Sequence, residues 1–525
     1  MHVSFEQRLT HLLDADAGAS LRGGLVGLEK ESLRVGAGGA LSQTPHPRPL
    51  GAALTHPYIT TDYSEALLEI ITPPMNDRRA ALAFLRDAHK FVYDQLDGET
   101  LWAASMPCVG EDDAGIPIAR YGSSNAGRMK SVYRRGLGHR YGRTMQVIAG
   151  VHFNYSLPDA FWPLFKELER AGGSLQDFVS DSYMGLVRNL QRLGWLMPYL
   201  FGTSPAVCKS FLEGRETDLA QFDSSTYYYP FATSLRMGDI GYQNSLEEGR
   251  GFKANYDSLD SYIRSLTWAI ETPCPENEAI GVVENGQYRQ LSANVLQIEN
   301  EHYSTIRPKQ ILEWLEKPTL ALRRRGVRYV ELRSLDVNAF DPLGVSEDQL
   351  YFLETFLIFC LLNDSPRITA SESRAIDRNQ ILAAHRGREP GLALQCGERA
   401  VPLKERAGEL LTRMLPLAEV LDSNDPGRPY SRVVRRQLEV AADPEMTLAA
   451  LILERMREYG VGFLAFAGHM SRAHHAYFDT LTLSPERHRF FAREAADSHE
   501  RQQALEEADD RPFDRFLEDY FAQRE

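Results

Sequence analysis

Cysteine is scarce in this chain: five residues, Cys108, Cys208, Cys274, Cys360 and Cys396, odd in number and widely spaced over 525 positions. That usage excludes a disulfide framework and predicts isolated buried thiols. Neither Cys-x-x-Cys nor His-Glu-x-x-His occurs, so no zinc site is expected, and the spacing of His469, His474 and His475 does not put all three on one helical face. Positive charge is in deficit, 58 Lys+Arg against 72 Asp+Glu, for a net charge of −14. This disfavours non-specific attraction to nucleic acid or an anionic membrane, while a local arginine cluster could still take one phosphate chain. Long apolar runs are missing as well: the longest, Leu350 to Leu362, is interrupted by Glu354 and Thr355 and is too short for a bilayer. The start, Met1 to Leu9, lacks the basic-then-apolar pattern of a secretory signal, so cytoplasmic residence is the expectation. There is no internal repeat, low-complexity tract or flexible linker, and 43% hydrophobic with 25% charged residues argues against extensive disorder.

What is present is acidic charge inside apolar, strand-like segments. Gly27 to Val35 carries Glu29 and Glu31; Asp62 to Ile71 carries Asp62 and Glu69; Val327 to Leu335 carries Glu331 and Arg333. Residues i and i+2 of a strand share a face, so Glu29 stands beside Glu31 and Glu331 beside Arg333. Like charges held side by side cost free energy unless neutralised. Two readings stand: each carboxylate pairs with a neighbour such as Lys30 or Arg34, or together they hold a hard cation, with Mg²⁺ the usual choice where phosphates complete the shell. Three such stretches in one chain favour the metal. His152 is read on a strand face shared with Gln146, Ile148, Gly150 and Asn154, where Gln146 and Asn154 suggest a wet cleft. Arg236 and Arg333 suit bidentate binding of carboxylate or phosphate, with a structural ion pair equally open for each. Tyr227 to Tyr229, Tyr242 and Tyr303 could line a small amino-acid pocket or merely pack. Arg128 and Lys130 sit in or just after a glycine-bounded loop, Tyr121 to Lys130, that matches no phosphate-loop or dinucleotide fingerprint. Arg323 to Arg325 reads as a solvated turn.

Helix is expected over residues 1–22, 76–96, 161–171, 175–200 and 256–269, and strands over 144–156 and 293–301 besides the three acidic stretches. Strands and helices do not alternate regularly, so the reading is α+β with a mainly antiparallel sheet. After about residue 345 the pattern is almost wholly helical, with turns at 422–429 and near Pro485. Residues 1–345 are read as a sheet-bearing core and 346–525 as a helical remainder of one catalytic unit.

Seven ordered motifs between about residues 20 and 345 resemble the glutamate–cysteine ligases of the proteobacterial type. They are the segments around Glu29 and Glu31, Asp62 to Glu69, Tyr121 to Asn125, Gly150 to Asn154, Thr233 to Arg236, Gln297 to Tyr303, and Val330 to Asp336. The resemblance implies a sheet folded into a funnel, similar to glutamine synthetase, and ATP-dependent joining of glutamate to cysteine, the first step of glutathione synthesis. It implies two or three Mg²⁺ ions, with Mn²⁺ as a substitute, held by Glu29, Glu31, Asp62, Glu69, His152 and Glu331. It also implies that Arg236 and Arg333 meet the transferred phosphate, that Tyr133, Tyr242 and Tyr303 help enclose the cysteine, and that Gln146 and Asn154 contact substrate. A monomer and feedback inhibition by glutathione are further expectations. Tyr63 departs from the family's more usual Phe, and Ala339 from its common Pro. On residues alone, the chemistry reads as Mg²⁺-dependent phosphoryl transfer on a sheet, with a metal-dependent phosphoesterase as the rival.

Overall fold

The computed structural model describes residues 4–108, 113–212, 214–241, 252–423 and 425–523. Seven strands form the main sheet: β1 (Leu25–Val35), β2 (Ile59–Thr61), β3 (Leu67–Ile71), β4 (Thr100–Leu101), β5 (Val151–Ser156), β6 (Ile306–Lys309) and β7 (Tyr329–Leu335). They lie in the order β6-β7-β5-β1-β3-β2, with β4 on the far end of β1, and every pairing is antiparallel. β6 contains Pro308 and lies at the edge, where a missing backbone donor is tolerated. The fold is α+β; two of the acidic stretches supply β1 and β7, while in the third only Leu67–Ile71 is strand, β3, and Asp62 lies in the turn that follows β2.

The two faces of the sheet differ because the residues alternate. Val26, Leu28, Val151, Phe153, Tyr155, Val330 and Leu332 point to one face and are fully buried. Helices α1 (Arg78–Tyr93), α3 (Leu175–Leu193) and α4 (Glu347–Leu362) cover that side, while α2 (Asn125–Tyr141) and α5 (Pro429–Ala442) pack elsewhere. α4 is buried on all sides, as a helix lacking a polar face must be. Its single internal carboxylate, Glu354, is wholly buried; it accepts hydrogen bonds from Tyr155 Oη (3.1 Å) and Tyr430 Oη (2.7 Å) and pairs with Arg78. One hydrophobic core runs from Phe5 to Phe491 and joins the sheet to the C-terminal helices.

Several expectations are corrected. Residues 144–156 are not one strand: Gly142, at φ +80°, opens a helical turn over Arg143–Gln146, and the Asp113 carboxylate accepts from the backbone N–H of Thr144 (2.7 Å). The strand begins only at Val151, so Gln146 does not share a strand face with His152. Residues 293–301 form no strand but end in a 3₁₀ turn, Glu299–Glu301. The cysteines are not all isolated: Cys108 and Cys208 are disulfide-bonded with their Cα atoms 5.3 Å apart, leaving Cys274, Cys360 and Cys396 as thiols. Arg128 and Lys130 lie on α2, which starts at its N-cap Ser124, and Arg323–Arg325 close the helix Pro318–Arg325. The C-terminal part also contains a hairpin, Ala393–Cys396 with Arg399–Pro402. Among the described residues no helix is long and apolar enough to cross a membrane.

Candidate active site

Register builds the site. Glu29 pairs with His152, Glu31 with Glu69, and Glu331 with both Asn154 and Arg307. Directly opposed residues share a face, so four strands deliver Glu29, Glu31, Glu69, His152, Asn154 and Glu331 to the side of the sheet turned away from α4. His152 Nδ1 lies 3.0 Å from Glu29 and 3.6 Å from Glu331, and its Nε2 lies 3.8 Å from Glu31. Two ligand triads result, Glu29–His152–Glu331 and Glu31–Glu69–His152, each with its donor atoms within 4.8 Å of one another. Asp62 stands at the margin, half-buried, 3.2 Å from the guanidinium of Arg134 on α2.

Sequence neighbours do not neutralise these carboxylates. Arg34 turns to Glu99 (2.7 Å), and Lys30 projects from the opposite face of β1 toward Ser32. Burial pushes Glu69 well above the ordinary carboxylate range, reinforced by Glu29, Asp62 and Glu31, and burial also raises Glu31. Glu331 is buried too, but Lys309, Arg333 and His152 outweigh that and hold it well below the range. Glu29 is penalised by burial and by Glu331, yet its bond with His152 keeps it low. Oxygen-rich triads that repel one another and share one imidazole fit a hard divalent cation.

Cations gather at one edge. Arg333 lies 2.7 Å from Glu331, and Lys309 lies 3.2 Å from the same carboxylate. Arg307, buried, faces Glu331 across the β6–β7 pair. Arg236, buried, donates to the carbonyl of Arg333 (2.9 Å) and approaches Gly150 so closely that a Cβ there would sit 2.2 Å from its guanidinium. Beyond it, Tyr303 Oη donates to Gln146 Oε1 (2.7 Å), and the ring of Tyr303 meets Tyr141 edge-on at 5.8 Å. Tyr133 is half-buried on α2. Tyr242 lies outside the described residues. A cavity of about 1120 Å³ does not contain these carboxylates; it adjoins the Gln146 end, walled by Tyr141, Thr144, Met145, Tyr227 and Tyr229. The converging charges, not the cavity's size, mark the reactive place.

Sequence reasoning missed Arg134, Arg307 and Lys309. Arg307 and Lys309 had a signal, two cations spaced i and i+2 around an edge-strand proline. Arg134 had none, since its partner Asp62 is 72 positions away.

An antiparallel sheet with this acidic and cationic face fits an enzyme that handles phosphate groups with a divalent cation. A crystal structure of glutamate–cysteine ligase from Francisella tularensis in complex with AMP matches it with a TM-score of 0.89 and 34% identity, covering 95% of this chain and 98% of that one. The sheet and helices also follow a bifunctional glutathione synthetase from Pasteurella multocida (TM-score 0.67, 24% identity, 90% of this chain and 54% of that one). Residues 9–382 match the model of the glutamate-cysteine ligase family. Glutamate–cysteine ligases from Alcanivorax borkumensis and Pseudomonas aeruginosa are 47% and 48% identical, over 98% and 95% of this chain and 99% and 94% of theirs. The chain belongs to the glutamate–cysteine ligase family.

Proposed function

We propose that this ligase joins the γ-carboxylate of L-glutamate to the amine of L-cysteine at the expense of ATP, giving γ-glutamylcysteine, ADP and phosphate as the first step of glutathione synthesis. The observation that carries the reading is the sheet face itself, with five carboxylates and one histidine flanked by Arg307, Lys309 and Arg333. Glu29, Glu31, Asp62, Glu69, His152 and Glu331 would hold two or three Mg²⁺ ions, with Mn²⁺ as a substitute. The ions would screen the charge that sets glutamate and ATP against each other.

A γ-carboxylate oxygen of glutamate attacks the γ-phosphorus of ATP and ADP leaves. The amine of cysteine then attacks the carbonyl carbon of γ-glutamyl phosphate and phosphate leaves. Arg333 and Arg236 stabilise charge developing on the transferred phosphoryl oxygens. Gln146 and Tyr303, locked together, form the wall against which cysteine is held, with Tyr133, Tyr242 and Asn154 completing the substrate contacts. The 525 residues act as one catalytic unit, monomeric and cytoplasmic. Glutathione, which contains the γ-glutamylcysteine unit, competes for the same place.

The test is ADP release by purified protein with ATP, Mg²⁺ and glutamate, with and without cysteine, and with 2-aminobutyrate, alanine and glycine in its place. Strong stimulation by cysteine with γ-glutamylcysteine as product is expected. Preference for another amine overturns the acceptor assignment, and untouched ATP overturns the reading. Saturating glutathione without effect at low glutamate would reject the feedback inhibition.

A further inference from the structure

Just past the end of β7, the strand that carries Glu331 and Arg333, stands a carboxylate that no step above uses. Asp336 is 2% exposed, and its two oxygens serve two distant segments of chain. Oδ2 accepts from the backbone N–H of Thr203 (2.8 Å), and Oδ1 accepts from Ser234 Oγ (2.9 Å). Oδ1 also faces Nη1 of Arg236 at 3.8 Å, with both side chains 1% exposed. Ser234 Oγ in turn accepts from the backbone N–H of Met237 (3.1 Å), and so caps the 3₁₀ turn Leu235–Met237 that bears Arg236. The other end of that guanidinium donates through Nη2 to the carbonyl of Arg333 (2.9 Å). A bulge lets one strand supply both anchors: Leu332 pairs with Phe153 and Leu335 with Val151, one residue more on β7 than on β5. Such an extra residue re-aims the groups around it. The Arg333 N–H still pairs toward Thr305 (2.8 Å), while its carbonyl turns to Arg236.

We propose that Asp336 is a positioning residue for phosphoryl transfer: it fixes the Leu235–Met237 turn and so aims Arg236 at the transferred group. This rests on the ligase reading above. A guanidinium that stabilises developing charge works best when it is held in place before the charge appears. Arg236 and Arg333 are both cations and are joined through one carbonyl, so a buried anion beside them lowers their mutual repulsion. The carbonyl contact fixes one nitrogen of Arg236. Asp336 fixes the backbone from which the side chain springs and faces the other nitrogen. Close packing against Gly150 then leaves the guanidinium one place to lie. The rival role, merely holding the loop at Thr203, would affect stability and spare the chemical step.

The experiment is a double-mutant cycle in the full-length enzyme, measuring kcat and the KM of each substrate for Asp336→Asn, Arg236→Lys and the pair. Asp336→Asn keeps the shape, and kcat is expected to fall about 10²-fold, the scale of one misplaced charge-stabilising contact. KM for ATP, glutamate and cysteine should stay within about threefold, as for a contact made only in the transition state. Residues that act as a unit are not additive, so the pair should be at most about threefold slower than Arg236→Lys alone. Ser234→Ala keeps the carboxylate and removes its link to the turn. It should lower kcat about tenfold with the same non-additivity, and it carries the test if Asp336→Asn does not fold. An unchanged kcat in folded Asp336→Asn overturns the proposal, even if the melting temperature falls, and so do losses that multiply in the pair. If the unaltered enzyme releases no ADP with glutamate and cysteine, the ligase reading fails and the proposal with it; additivity in an active enzyme removes the proposal alone.

Discussion

Glu331 is the carboxylate whose charge the surroundings most firmly enforce, because Lys309, Arg333 and His152 all face it. Glu331→Gln keeps the shape and removes the charge. Metal-dependent turnover should vanish while the circular dichroism spectrum and melting cooperativity stay native; near-native activity in the variant rejects Glu331 as a metal ligand. Glu69 presents the opposite case. It is held above the ordinary range by burial and by its acidic neighbours, so its ionised form destabilises the metal-free fold. Glu69→Gln should therefore melt at a higher temperature than the parent in EDTA, yet turn over at least 10²-fold more slowly in Mg²⁺. Gly150 matters for space rather than for backbone freedom. Gly150→Ala must displace Arg236, and a fall in kcat of about 10²-fold is expected with little change in melting temperature.

At the scale of elements, the buried face of the sheet is pinned to the helices that cover it. Glu354 of α4 ties β5 through Tyr155, α5 through Tyr430 and α1 through Arg78. Glu354→Ala leaves the buried Arg78 charge uncompensated and should cost about 3–5 kcal/mol in urea unfolding. Activity per folded molecule should be unchanged, since Glu354 touches nothing on the polar face. The same elements show what was legible beforehand. The acidic strands could be read because alternation by two residues is local. The supposed strand at 144–156 could not, because what bends it is the carboxylate of Asp113, some 30 positions away. The Cys108–Cys208 pair was hidden in the same way, by a separation of 100 positions.

For the whole molecule, mutual repulsion on one face links stability to pH and metal. Glu31 and Glu69 titrate above their unfolded values, so the metal-free fold binds more protons than the unfolded chain does. Their contribution is present at or below about pH 4.5 and is lost as pH rises through their folded values. Glu331, held low, works in reverse: its contribution is present above about pH 4.5 and is lost as pH falls through its folded value. Mg²⁺ bound at this face would cancel the repulsion only where the carboxylates are ionised. The rise in melting temperature on adding Mg²⁺ should therefore be larger at pH 8 than at pH 5. A rise independent of pH, or none, would speak against metal binding at this face.

The amino-acid sequence by itself determined the acidic strands, the antiparallel α+β class, the helical C-terminal part and the family, because each is written in neighbouring residues or in short motifs kept in order. Only the tertiary structure decided which carboxylates meet. It set His152 between Glu29, Glu31 and Glu331, turned Arg34 and Lys30 away, and brought Arg134, Arg307 and Lys309 in from other segments of the chain. Register and long-range contact do that selecting, and both depend on how the chain closes on itself rather than on any one stretch of it.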